Sequence, residues 1–146
     1  EAAWPDQAVP QAASAPLASA VEHRRGRLLY VEDNEVNVLL VQELLALRPG
    51  LALHVAGDGE TGVAMARELM PDLVLVDMHL PDFDGVEVLQ RLRRDPRTAG
   101  LACIALSANA MPDDVKRARD AGFDDYWTKP IDVHRFLDAL DRLMPA

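Results

Sequence analysis

Short, almost unbroken apolar runs alternate along this chain with stretches whose apolar residues recur every three or four positions. The first pattern suits buried strands and the second suits amphipathic helices. "RLLYV" (27–31) opens the series as a strand. Asn34 then stands as an N-cap, and the helix after it places Val36, Leu40, Val41, Leu44, Leu45 and Leu47 on one side. Pro49 and Gly50 stop that helix, and "LALHV" (51–55) forms the second strand. Asp58 caps a helix that runs to about Met70, where Pro71 ends it. "DLVLVD" (72–77) is the third strand, and a loop with Pro81 and Gly85 leads into the helix "VEVLQRLRR". "LACIALS" (101–107) is the fourth strand. A short helix in "MPDDVKRARDAG" has Pro112 near its start and Gly122 past its end. "FDDYW" (123–127) is the fifth strand. "IDVHRFLDALDRLM" is the last helix, with Val133, Phe136, Leu137, Leu140, Leu143 and Met144 facing inward.

Five strand–helix units in succession predict an α/β fold. Strands that are apolar at every position are buried on both faces, as in a parallel sheet. Right-handed crossovers then put helices on both sides. In such open sheets functional groups collect at the carboxyl ends of the strands, near the point where strand order reverses. Residues 1–26 break the pattern. Eleven of the first twenty are Ala or Pro, without a sustained period, which reads as a semi-stiff linker ahead of a folded domain at 27–146. The basic cluster His23, Arg24, Arg25 and Arg27 reads as the solvated end of that linker.

Composition narrows the classes. A net charge of −9 disfavours non-specific binding to phosphate backbones. No apolar run is long enough to span a bilayer, and the N-terminal stretch has no apolar leader core. The lone Cys103 lies inside an apolar run, which excludes a disulfide framework and fits a reducing, cytoplasmic setting. His23, His54, His79 and His134 are scattered without ligand spacing, which argues against zinc. The first residue is Glu1, so the chain is expected to be cut from a longer one.

The chemistry sits where the strands end. The first strand ends in Glu32 and Asp33, the third in Asp77, the fourth in Ser107, and the fifth in Thr128 and Lys129 followed by Pro130. Three carboxylates brought together repel one another. Lys129 offsets part of that, and a hard divalent cation with oxygen ligands, Mg²⁺, is the natural second source of positive charge. Metal and lysine together suit phosphoryl chemistry, in which an Asp can itself be the nucleophile.

Taken in order, "VEDN", "VLVDMHLPDFDG", "ALSANA" and "DYWTKP" resemble the signature segments of the response-regulator receiver domains of two-component signalling. The resemblance runs from about Leu28 to Met144. It implies a flavodoxin-like (βα)5 fold with strand order 2-1-3-4-5. It also implies that Asp77 accepts a phosphoryl group. Asp33 binds Mg²⁺ directly, Glu32 assists through a water, and the backbone carbonyl of His79 is a further ligand. Ser107 donates to the attached group, and Lys129 pairs with Asp77 or with that group. Tyr126 matches the switch aromatic. Ala108 leaves room for the phosphoryl group, His79 and Asn109 tune its lifetime, and the Lys129–Pro130 bond is expected to be cis.

Two other readings use the same acids. An aspartate-nucleophile hydrolase of the haloacid dehalogenase type wants a second Asp two places after the first, where His79 stands. A degenerate receiver acting only in docking would not need Asp77, Ser107 and Lys129 together. The implied partner is a histidine kinase or a histidine phosphotransfer domain. The sequence holds no basic helix-turn-helix for direct DNA binding. The Ala/Pro-rich lead and the forms "ALSANAM" and "YWTKPID" favour the C-terminal receiver of a hybrid sensor kinase, with a stand-alone single-domain regulator as the alternative.

Overall fold

The computed structural model describes residues 26–108 and 111–143. Five strands, β1 (Gly26–Val31), β2 (Leu51–Ala56), β3 (Leu73–Asp77), β4 (Ala102–Ser107) and β5 (Asp125–Thr128), form one sheet. Every neighbouring pair is parallel, and the order is β2-β1-β3-β4-β5, the flavodoxin-like arrangement. The helices between and after them are α1 (Glu35–Leu45), α2 (Gly59–Leu69), α3 (Gly85–Arg94), α4 (Pro112–Ala121) and α5 (Val133–Leu143).

Strand alternation divides the core into two layers. Leu28, Tyr30, Leu73, Leu75, Ile104 and Leu106 pack under α1 and α5, against Val41, Leu44, Phe136 and Leu140. Their neighbours Leu29, Val31, Val74, Val76, Cys103 and Ala105 pack on the other face, against Val63 and Ala66 of α2, Leu89 and Leu92 of α3, and Ala118 of α4. Full burial of a Leu or Phe in such a layer contributes about 1.5–3 kcal/mol. β3 is buried at all five positions and forms the spine of the domain.

The helix ends follow local chemistry. Asn34 Oδ1 accepts from the N–H groups of Val36 and Asn37 at 2.8 and 3.2 Å, and Asp58 caps Thr61 at 2.7 Å. Asp84 caps Glu87 at 3.1 Å, and Asp132 accepts from Arg135 N–H at 2.9 Å. Pro112 opens α4, and Gly122, with φ +108°, closes it in the left-handed conformation that favours glycine. A second carboxylate reaches α2 from far along the chain. Asp82 accepts from Gly59 N–H at 2.8 Å and Glu60 N–H at 2.9 Å, while the Phe83 ring lies where a Cβ on Gly59 would fall. The Arg91 guanidinium stacks 4.2 Å from the centre of that ring.

Five expectations need correction. Val36 is 74% exposed, because about five residues of helix, roughly 500° of rotation, separate it from the buried Val41. Leu47 lies beyond the end of α1 in a turn, and Val133 occupies the first position of α5; both are exposed. β5 begins at Asp125 rather than Phe123, since Asp124 bonds across to Cys103 through both its backbone and its side chain. Gly26, expected as the last residue of the linker, instead opens β1, where it pairs with Leu51. The rest of the expected linker, residues 1–25, and Met144, expected to face inward, lie outside the described residues.

Candidate functional site

The strand order places β1 and β3 side by side at the centre, with Val31 opposite Val76. The residues that follow those partners, Glu32 and Asp77, therefore emerge together at the carboxyl edge. β4 lies on the other side of β3, with Asp77 opposite Leu106 and Ser107 opposite Thr128. Backbone bonds from Met78 N–H to Leu106 O (2.9 Å) and from Lys129 N–H to Ser107 O (2.8 Å) extend the pairing past the strand ends. The Lys129 chain then turns back over the edge, and its peptide bond to Pro130 is cis.

Side chains converge as the parallel sheet requires. Lys129 Nζ donates to Glu32 Oε1 at 2.7 Å and lies 3.2 Å from Asp77 Oδ2. Asp77 Oδ1 accepts from His79 N–H at 3.0 Å. Carboxylate oxygens of Glu32, Asp33 and Asp77 all fall within 4.8 Å of one another. Asp33, Asp77, Ala108, Lys129 and Pro130 help to line an open depression of about 450 Å³. Asp77 is only 4% exposed, yet it reaches this depression; Asp33 is exposed and Glu32 is buried in the wall. An all-oxygen donor set with two reachable carboxylates suits a hard divalent cation.

The two buried carboxylates differ in their surroundings. Burial raises the Asp77 carboxyl above its ordinary value, and the charge of Glu32 adds to this; the His79 N–H and Lys129 offset only part. Burial pushes Glu32 up as well. There Lys129, the Asn34 N–H at 3.1 Å and the Tyr30 hydroxyl at 3.0 Å more than compensate, and Glu32 is held below its ordinary value. Asp77 is thus the acid whose negative charge is less well neutralised by the protein.

The remaining expected residues are spread around this centre. Ser107 is fully buried at the end of β4, beside the β3 edge. His79 has an exposed side chain, and its backbone N–H is the group that donates to Asp77. Tyr126 is half-buried in β5 and lines a separate cavity of about 280 Å³ with Val115, Ala118 and Phe123. Asn109 lies outside the described residues. Tyr30 joins the site although the sequence marked it only as strand. The available signal was its position two before Glu32, on the same strand face, with a hydroxyl that needs a buried partner.

Comparison with known proteins agrees with this geometry. Residues 28–141 match the family model for the response regulator receiver domain. Over 118 residues the chain is 40% identical to the DNA-binding dual master transcriptional regulator RpaA of Synechocystis, covering 81% of this chain but only 48% of RpaA. It is 36% identical over 113 residues to the polar-differentiation response regulator DivK of Brucella anthropi, covering 77% of this chain and 91% of DivK. Among solved structures it resembles the receiver domain of sensor histidine kinase PA1611 from Pseudomonas aeruginosa, which has a magnesium ion coordinated in its active-site cleft. That match has 30% identity and a TM-score of 0.74, and covers 82% of this chain and 97% of the other. Sequence, sheet order and the acid-and-lysine edge agree, and the chain belongs to the response regulator receiver domain family.

Proposed function

We propose that this domain accepts a phosphoryl group from a phosphohistidine onto Asp77 in a two-component phosphorelay. The observation that carries the reading is Asp77 at the floor of an open depression, with Lys129 at 3.2 Å and Asp33 beside it. Asp77 attacks phosphorus in line. The P–N bond breaks toward the imidazole, which takes up a proton, and a mixed carboxylic–phosphoric anhydride remains on Asp77. Lys129 stabilises charge on the transferring oxygens. Asp33, Asp77 and the His79 carbonyl would hold Mg²⁺, with Glu32 assisting through a water; the cation supplies charge neutralisation at the phosphoryl oxygens.

Signal output follows from what lies next to the acceptor. Ser107 donates to the attached group, Tyr126 turns inward, and the surface of α4, β5 and α5 changes for a protein partner. Ala108 leaves space above Asp77, and Asn109 and His79 set how long the group lasts. The donor is a histidine kinase or a histidine phosphotransfer domain. Val36 and Leu39, 74% and 55% exposed on α1, the helix whose Asn37 lines the depression, give such a protein an apolar foothold. The readout is through proteins in the cytoplasm, and the acidic net charge of −9 supports a domain that does not itself hold DNA. The Ala/Pro-rich stretch ahead of β1 acts as the linker to a hybrid-kinase parent, a setting supported by the likeness to the PA1611 receiver. A stand-alone regulator is the second reading, favoured by the 91% coverage of DivK.

The test is labelling with a small phosphodonor and Mg²⁺, followed by mass spectrometry. One phosphoryl group should be gained, and it should be absent in Asp77→Asn. Continuous turnover of phosphomonoesters, or no label at all, would overturn the proposal.

A further inference from the structure

We infer that Tyr30 is a positioning residue for the cation side of this site, acting through Glu32. The inference rests on the reading of the acidic edge as a magnesium site. Tyr30 lies in β1 with no exposed surface, packed among Leu28, Leu75 and Phe136 in the layer under α1 and α5. Its hydroxyl is aimed at the carboxylate two residues on, donating to Glu32 Oε1 at 3.0 Å. Glu32 is itself only 2% exposed.

Three donors hold that carboxylate. Tyr30 OH and Lys129 Nζ share Oε1, and the Asn34 N–H takes Oε2. A carboxylate offers about four lone-pair directions, so roughly one remains. Glu32 is thus fixed in the wall with room for a single further donor, such as one water of a hydrated cation. It is not free to swing out as a direct ligand. Neither Lys129 nor Asn34 N–H can set this alone, because Lys129 is shared with Asp77 and Asn34 holds only the opposite oxygen. The rigid Tyr30 ring, locked in the core, supplies the fixed point. Hydrogen-bond partners that orient metal-site ligands cost about 10–100-fold in metal affinity when removed. Tyr30 acts one bond further out, so the low end of that range applies.

The experiment is calorimetric titration of Mg²⁺ into the metal-free protein. Tyr30→Phe keeps the ring and removes only the hydroxyl; it should weaken binding roughly tenfold. Thr98→Val is the control, since Thr98 is equally buried and donates to Leu92 O at 2.6 Å far along the chain from the acids. It loses a comparable hydrogen bond and should leave Mg²⁺ binding unchanged. In a Glu32→Gln background, Tyr30→Phe should have no further effect. A Tyr30→Phe affinity within twofold of the parent, an equal loss in Thr98→Val, or an undiminished effect without Glu32 would each overturn the inference. A parent protein that binds no Mg²⁺ overturns the site reading as well, which separates the two failures. A second measurement needs no change at Tyr30: ring-carbon resonances of the two tyrosines, assigned with Tyr126→Phe, are followed as Mg²⁺ is added. The Tyr30 signal should move at saturation, and an unmoved signal counts against the inference.

Discussion

Asp77→Asn should make the cation-free domain more stable while abolishing phosphorylation. The size follows from the charges around Asp77. At an effective dielectric of about 20, the attraction to Lys129 at 3.2 Å is worth about 5 kcal/mol. Repulsion by Glu32, with oxygens within 4.8 Å, costs at least about 3.5 kcal/mol on the same scale. Asp33, exposed and better screened, adds about 1 kcal/mol. These terms nearly cancel. What remains is the cost of keeping a charge at 4% exposure, which after relaxation is still several kcal/mol per ion, and of which a buried amide bears only a part. Asn keeps the shape and can still accept from His79 N–H through Oδ1. The net gain is about 1–3 kcal/mol, or roughly 3–10 °C in Tm for a domain of this size. The assay is thermal unfolding in a chelator, compared across pH. Asp77 is raised in the folded state, so its stabilising contribution is present at acid pH and lost as pH rises through its folded value. The advantage of Asp77→Asn should therefore be greatest near neutrality and shrink in acid. Excess Mg²⁺ should narrow the difference as well, because it stabilises the parent more. An Asp77→Asn protein that melts lower than the parent in chelator at neutral pH would refute this account.

Leu75→Ala, in the middle of the fully buried β3, should cost about 2–5 kcal/mol in urea unfolding without a change of fold. Burial pushes the Cys103 thiol up to about 12, so a thiol reagent at mildly alkaline pH should react only as fast as the domain opens. The same shift means that stability from this thiol is intact below its ordinary value of 9.0 and lost as pH climbs toward about 12, which alkaline unfolding curves of Cys103→Ala would show by a shallower decline. Replacing Val36 and Leu39 together by Asp should slow phosphoryl transfer from a histidine donor at least tenfold, the effect of about 1.4 kcal/mol lost at an interface. Labelling by a small phosphodonor should stay unchanged in that variant.

Much of the architecture was written locally. The runs at 28–31, 73–77 and 102–107 are apolar at nearly every position because both sheet faces are covered, and each became a central strand. Asn34, Asp58 and Gly122 announced helix ends because their chemistry acts within a few residues. Convergence of Glu32, Asp77 and Lys129 was also readable, since a parallel sheet carries all strand ends to one edge. Features set by distant parts of the chain were not. The exposure of Val36 depends on where α1 sits over the sheet, and the start of β5 depends on Asp124 meeting Cys103. Arg27 read both as strand and as the end of a basic tail, because nothing nearby reveals the Leu69 carbonyl it meets. Tyr30 looked like ordinary core because only its hydroxyl, not its ring, belongs to the acidic edge.

The bond between Asp82 and α2 has a mechanical outcome. The segment leaving Asp77 is pinned at its far end by two N–H groups of another helix, with an aromatic ring wedged against a residue that has no side chain. A rearrangement that carries Asp82 beyond reach leaves the first two N–H groups of α2 without this carboxylate. The loop that leaves Asp77 and the start of α2 are thus tied by side-chain bonds as well as by packing.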